Sequence, residues 1–147
     1  MVCLSEVSCA QLAAVAGRLV LTPNRQEAAA IVADLADDAD PAQQAAAVAH
    51  RVGGVATVHG EVSSADGRTW SVGTGSIGLG TSGSGDVLAG LVAGLAARCG
   101  DPAQAACWAS YLHGTAGDRL SARIGPVGFL ARELLDEIPP ALAELTR

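Results

Sequence analysis

The sequence contains no lysine: all nine of its basic residues are arginine, set against 15 acidic residues for a formal net charge of −6. A Walker-type phosphate loop requires a lysine at a fixed position, so that class of nucleotide site is excluded. No basic stripe is present that could neutralise a phosphate backbone, which argues against nucleic acid as a partner. Any bound phosphate must therefore be held by backbone amides, arginine or a metal ion.

Aromatic residues and paired cysteines are also scarce. The chain has four aromatic residues, and its four cysteines, at positions 3, 9, 99 and 107, form no CxxC pair and have no histidine at zinc-site spacing. We therefore predict no metal-binding residue. The longest apolar run, residues 87–97, has about half the length of a membrane span, and the N-terminus lacks the basic region of a secretory signal. These absences predict a cytoplasmic protein that does not bind a membrane.

Small and apolar residues are abundant instead: half of the 147 residues are hydrophobic and 18 are glycine, which fits one packed domain and excludes disorder. Strand patterns followed by helix patterns indicate a layered α/β domain. An acidic loop at 36–41 precedes a helix that Asp40 caps and Pro41 opens. The helix over 86–98 is almost wholly apolar, so we expect it to be buried on all sides. The predicted helices cover 7–17, 27–35, 42–51, 86–98, 102–123 and 128–138; the predicted strands cover 18–21, 55–62 and 68–72, with a hairpin loop at 63–67.

A glycine-rich segment at residues 73–85, with six glycines in thirteen positions, leads into that apolar helix. Backbone amides in such a loop, together with the positive end of the helix, can bind an anion without side-chain charge. A flexible loop is the alternative interpretation of the same composition. Asp86 at the helix start is either an N-cap or a base that accepts a proton from a substrate hydroxyl. His113, in an apolar helix, is interpreted as a hydrogen-bonded core residue.

Several stretches together carry a family resemblance. GLGTSGSGDVLAG, YLHGTAGDRL and GFLARELLDEIPPAL, with LTPNRQEAA and DGRTWSV upstream, resemble the C-terminal part of ADP-dependent NAD(P)H-hydrate dehydratases of the ribokinase-like superfamily. The resemblance covers roughly residues 19–142 and leaves 1–18 as a poorly matched lead-in. It implies an α/β ribokinase-like layered sandwich of which only the C-terminal half is present, with residues 1–147 as a single domain. The first strands and helices of the family would precede residue 1.

The resemblance also implies an activity and a site. The family are lyases that remove water from the hydrated nucleotides NADHX and NADPHX, with ADP or ATP as the energy source; a requirement for Mg²⁺ stays open. Asp86 would be the catalytic base and, with Asn24, would contact the substrate. The nucleotide-binding residues would be Gly83, Ser84 and Gly85 at the phosphates, and His59, Gly60 and Ser63 on the adenosine side. The family has histidine at the position of Asn24 and Lys-Gly at the position of His59-Gly60.

Two other functions remain open at this stage. One is a ribokinase-like small-molecule kinase that acts on a hydroxymethyl group of a pyrimidine or thiazole vitamin precursor, and the other is a non-catalytic nucleotide-binding fragment. The few predicted strands cannot cover the apolar helices, because parallel sheets normally need both faces covered. We therefore expect an exposed apolar patch, and either a homo-oligomer or association with a missing N-terminal half.

Overall fold

A computed structural model of the protein describes residues 7–32, 35 and 39–145, apart from the side chain of Cys9. The helix predicted over 27–35 instead covers Arg25–Ile31, and Val32 after it is extended, so its predicted end is wrong. Residues 33, 34 and 36–38, which include most of the acidic loop at 36–41, lie outside the described residues. Two 3-10 helices, Ile77–Gly80 and Ala131–Glu133, supplement the regular elements. The helices are α1 (Cys9–Ala13), α2 (Arg25–Ile31), α3 (Pro41–Val52), α4 (Ser84–Cys99), α5 (Pro102–Arg123) and α6 (Leu134–Leu145), and the strands are β1 (Val20–Leu21), β2 (Val55–Val58), β3 (Glu61–Ser64) and β4 (Thr69–Ser71).

The four strands form one mixed sheet in the order β1-β2-β3-β4. β1 pairs parallel to β2, whereas β2–β3 and β3–β4 are antiparallel. The single strand predicted over 55–62 is therefore wrong, because the chain reverses at His59-Gly60. These residues have φ of 50° and 84°, and positive φ at both positions is the requirement of a two-residue type I′ hairpin turn. The predicted loop at 63–67 is shorter than expected, since Ser63 and Ser64 belong to β3.

Helices cover both faces of the sheet. Leu21, Ala56 and Val58 pack in one core with α2 and α3. On the other face, Val55 packs against α5, and the Thr57 hydroxyl lies 3.0 Å from the Ser110 hydroxyl of α5. All four residues of β2 are buried, as expected for a strand with helices on both sides.

Aspartate followed by proline begins α3 and α5, as the sequence predicts. The Asp40 carboxylate accepts a hydrogen bond from the Gln43 amide at 2.8 Å, with Pro41 as the first helical residue of α3. Asp101 caps α5 in the same way and accepts from the Ala103 amide at 2.9 Å. Each cap contributes about 1 kcal/mol to helix stability.

The last helix begins and ends later than the sequence predicts. α6 starts at Leu134, after the 3-10 helix, and continues through Pro139 and Pro140 to Leu145. The predicted end before the prolines is wrong. Leu134 and Ala141, on either side of the prolines, are 0% and 2% exposed, so burial on both sides holds the helical path. Packing here outweighs the low helix propensity of proline.

The expectation that the apolar helix is buried on all sides is also wrong. Within α4 only Ser84 and Val92 are buried, although the helix is rich in leucine, valine and alanine. One side of α4 packs on α5, and Val87 near its start packs against the apolar cluster that includes Phe129 and Leu134, but most of its other side chains are exposed or half-buried among the described residues. Among the residues that the structure describes, no helix is both long and apolar enough to cross a membrane.

Candidate active site

Three strands end at the same edge of the sheet. β4 is antiparallel to β3 and β3 is antiparallel to β2, so β4 has the direction of β2 and β1. Asn24 follows the C-terminal end of β1, His59-Gly60 follows β2, and the glycine-rich segment 73–85 follows β4. The fold therefore brings these sequence-predicted residues to one edge, where sheets of this class bind their ligands.

The start of α4 supplies a free amide beside a carboxylate. Gly83, with φ of 88°, is the N-cap, so the N-cap alternative for Asp86 is wrong: Asp86 is the third residue of the helix. The Asp86 amide donates to the Gly83 carbonyl at 3.1 Å, whereas the Gly85 amide makes no hydrogen bond with the described residues. The positive end of a 16-residue helix favours an anion at that amide. The exposed Asp86 side chain stands next to it.

A buried histidine holds this helix start in place. His113 Nε2, from α5, lies 2.9 Å from Ser84 Oγ and 3.1 Å from the Ser84 carbonyl oxygen. A carbonyl oxygen can only accept, so the neutral ring carries its proton on Nε2. Burial lowers the pKa of His113 below its ordinary value, which keeps the ring neutral. His113 is therefore the hydrogen-bonded core residue that the sequence predicts.

The first part of the glycine-rich loop lies along α5 and makes hydrogen bonds with it. The Gly75 amide donates to the Asp118 carboxylate at 3.0 Å, and the Ser76 hydroxyl lies 2.6 Å from that of Ser121. A Cβ at Gly114 would lie 2.3 Å from Thr74 Oγ1 and 2.7 Å from Thr74 backbone atoms, so the loop can approach α5 only over a glycine. Sequence reasoning assigned no role to Asp118 or Gly114. The sequence feature that could have indicated this contact is the pair of glycines at 114 and 117, three residues apart in a long helix.

The His59-Gly60 turn is joined to the beginning of that loop. The Val72 amide donates to the Gly60 carbonyl at 2.9 Å. A Cβ at Gly60 would lie 2.8 Å from the Val72 carbonyl oxygen, so this approach also requires glycine. The His59 side chain is exposed at the turn. The turn therefore lies directly before residue 73, where the glycine-rich segment begins.

The remaining predicted site residues differ in their placement. Asn24 is exposed and caps α2: its side-chain oxygen accepts from the Glu27 amide at 2.9 Å, while its NH₂ group has no hydrogen-bond partner among the described residues. Ser63 is not brought to the site edge. It pairs with Ala56 and Thr69 inside the sheet and is only 2% exposed.

A groove of about 610 Å³ separates α4 from α6. Asp86 lies at one end and Arg98 at the other, twelve residues further along the same helix. The wall between them is almost entirely apolar, formed by Val87, Gly90, Leu91, Gly94, Leu95, Leu135, Ile138 and Pro139. The site is thus a polar helix start that opens into an apolar groove.

A mixed α/β sandwich whose glycine-rich loop leads into a helix with an acid in its first turn, at the carboxyl edge of the sheet, defines a ribokinase-like domain. The chain belongs to the NAD(P)H-hydrate dehydratase family, whose sequence profile matches residues 3–140. This confirms the resemblance drawn from the sequence motifs.

Relatives and solved structures agree with that assignment. The chain is 49% identical over 133 residues to the ADP-dependent (S)-NAD(P)H-hydrate dehydratase of Xanthomonas campestris, covering 87% of this chain and 46% of that protein. It is 33% identical to the bifunctional NAD(P)H-hydrate repair enzyme Nnr of Escherichia coli, covering 81% of this chain and 24% of that protein. The ADP/ATP-dependent NAD(P)H-hydrate dehydratase of Bacillus subtilis, co-crystallised with ATP/Mg²⁺, superposes with a TM-score of 0.78 at 27% identity, over 85% of this chain and 47% of that one. The chain therefore spans about half the length of the Xanthomonas and Bacillus proteins.

Proposed function

We propose that this chain takes part in the ADP- or ATP-dependent removal of water from NADHX and NADPHX, and so in the repair of nicotinamide nucleotides. The observation that carries the proposal is the pairing of the free Gly85 amide with the Asp86 carboxylate at the start of α4. The relatives are named for hydrated NAD(P)H, which favours this function over a kinase that acts on a vitamin precursor.

The backbone of the glycine-rich loop would bind the phosphates of the nucleotide. Residues 83–85 lie at the positive end of α4, where the Gly85 amide is free, and with no lysine in the chain the phosphates depend on such backbone donors. Donors of this kind stabilise charge that develops in a transition state, by roughly 2.7–4 kcal/mol each in comparable sites. The Asp118 and Ser121 contacts to residues 75 and 76 hold the preceding part of the loop in position.

Asp86 would act as the base. As the terminal phosphoryl group of the nucleotide transfers to the substrate hydroxyl, the O–H bond breaks and Asp86 accepts the proton. The new O–P bond makes the former hydroxyl a good leaving group. The C–O bond then breaks as the neighbouring ring carbon loses a proton, so a C=C bond forms and inorganic phosphate departs with the oxygen. The nucleotide is released with one phosphate fewer.

Three other residues support the same assignment by their position. His59 and Gly60 would contact the adenosine side of the nucleotide, and Asn24 would use its free NH₂ group towards the substrate. The placement of Ser63 gives its predicted role no support. Among the described residues no group of three or more His, Cys, Asp or Glu side chains could hold a metal ion. Mg²⁺ would therefore arrive bound to the nucleotide phosphates, and no step here depends on it.

The test is Asp86→Asn in an assay of NADHX dehydration with ADP or ATP. We expect loss of turnover with nucleotide affinity largely retained, because the amides of the loop are untouched. The melting temperature should change little, since Asp86 is exposed and is not the cap. Asp136→Asn is the matched control, as Asp136 is an exposed acid in the first turn of α6. Wild-type turnover in Asp86→Asn would contradict the catalytic assignment.

A further inference from the structure

The sheet has an unpaired edge directly beneath an apolar helix. β1 is the last strand on its side, and no described strand pairs with its outer edge. α4 lies on the α5 side of the sheet, and a groove of about 220 Å³ separates it from β1. The β1 wall of this groove consists of Arg18, Val20 and Thr22, every second residue, which places them on one face of the chain.

The other wall of this groove consists of small apolar side chains of α4. They are Ala89, Val92, Ala93 and Ala96, and of these only Val92 is buried. A strand added beside β1 would hydrogen-bond to its free edge and direct alternate side chains at this surface of α4. Helices that cover a sheet bury small apolar residues against strands in this way. The unpaired edge of β1 and the exposed apolar surface of α4 beside it are therefore arranged as they would be inside a sheet with one more strand next to β1.

The second side of α4 is equally uncovered. The groove between α4 and α6 is apolar along its length, and Leu135 in its wall is 56% exposed. Apolar grooves on both sides of one helix exceed the scattered apolar contacts usual on a monomer's surface.

We propose that the β1 edge and the groove between β1 and α4 bind a polypeptide equivalent to the part of the dehydratase domain that this chain does not match. The argument for this occupant is length together with shape. The chain covers 46% of its Xanthomonas relative and 48% of a Bacillus structure, so a comparable length of chain completes the domain in those proteins. The free strand edge requires a partner that supplies β-structure, which a loose apolar ligand does not.

The experiment co-expresses this chain, carrying an affinity tag, with the unmatched part of the Xanthomonas dehydratase. We expect the two polypeptides to co-purify as a 1:1 complex by sedimentation, with a higher melting temperature than the tagged chain alone. The readout is mass and stability rather than turnover, so it is separate from the proposed activity. Asp86→Asn should form the complex equally well.

A variant pair locates the surface. Ala93→Arg places a charge between α4 and the added strand and should weaken binding at least about tenfold, because a charge without a partner is costly in an apolar interface. Ala122→Arg, an exposed alanine of α5 away from both grooves, should bind as the wild type does. In the isolated chain neither variant should lower the melting temperature.

Three results would overturn the proposal. The first is absence of co-purification. The second is a discrete dimer of this chain that the added polypeptide does not dissociate, which would make the surface a contact between two copies. The third is a melting temperature of isolated Ala93→Arg several degrees below that of Ala122→Arg, which would mean that the surface is already covered within the chain.

Discussion

Gly83 and Gly85 are two residues apart but serve the helix start in different ways. Gly83 has φ of 88°, and a Cβ there would lie 3.3 Å from Ala131 Cβ. Gly85 has no such backbone constraint, and a Cβ there would meet nothing within 4 Å. The first glycine is needed by the fold, whereas the second leaves space for a ligand.

Gly85→Val should therefore weaken ADP binding strongly without unfolding the protein, because the valine side chain would occupy the space in front of the free amide. Calorimetry with ADP, together with a thermal melt, separates the two effects. Gly83→Val should lower both ADP affinity and the melting temperature, since a β-branched residue cannot adopt positive φ cheaply. Ala97→Val, an exposed change in the same helix, is the control. Unchanged ADP affinity in Gly85→Val would remove the loop from the site.

His113 should make the stability of the chain depend on pH. Its folded-state pKa is lowered by burial from an ordinary value near 6.5, so the unfolded chain takes up the proton first as the pH falls. The free energy of unfolding should then decrease from above pH 6.5 down through the folded-state pKa. Glutamine cannot take up this proton. Urea denaturation across that pH range should therefore show a smaller decrease in the free energy of unfolding for His113→Gln than for the wild type. Equal pH slopes in the two proteins would contradict a buried, neutral His113.

At the scale of elements, the loop–helix contact over Gly114 can be tested with alanine. Gly114→Ala brings a Cβ against Thr74 backbone atoms, which cannot move aside as a side chain end could. We expect a loss of about 1–3 kcal/mol in the free energy of unfolding, typical of overpacking. Gly94→Ala, in a helix position where a Cβ meets nothing within 4 Å, should instead stabilise by up to about 1 kcal/mol. Denaturant titrations of both variants measure the two changes. Equal changes in the free energy of unfolding would mean that the loop does not pack against α5 at Gly114.

Local chemistry explains which elements the sequence predicted. Asp40-Pro41 and Asp101-Pro102 identify two helix starts because the cap and the first helical residue are adjacent in the chain. The reversal at His59 was missed, since histidine is an unusual residue at positive φ and the run 55–62 has continuous strand character. The end of α6 was missed because the burial of Ala141 is a tertiary contact that no local pattern reports.

In the candidate site, too, local features were predicted from the sequence and contacts between distant residues were not. Residues 83–86 are consecutive, so the glycine spacing and the adjacent acid were sufficient to predict them as a candidate site. The contacts of Gly75 with Asp118 and of Ser84 with His113 join residues 43 and 29 positions apart. They depend on how α5 packs, and the sequence shows them only as small or polar residues in a helix. Ser63 was assigned to the site by the family resemblance alone, and the structure places it inside the sheet.

At the scale of the whole molecule, composition and structure lead to opposite expectations for α4. An almost wholly apolar helix is normally an interior one, yet most of α4 is exposed within the described residues. The difference has a physical consequence, because exposed apolar surface lowers solubility until it is covered. The apolar character of the helix predicts a covered environment, and the described residues supply only one side of it.

The isolated chain should therefore associate as its concentration rises, and its dehydratase turnover should be low or absent even where it binds nucleotide. Both expectations have the same cause. α4 is exposed on two sides, and the groove at Asp86 is formed only by α4 and α6. Sedimentation velocity over a range of concentrations tests the association, and an NADHX assay on the same samples tests turnover. Ala93→Arg should reduce the association relative to Ala122→Arg, since it charges the exposed surface of α4. A compact monomer with full turnover at every concentration would show that this half-length chain is a self-sufficient enzyme.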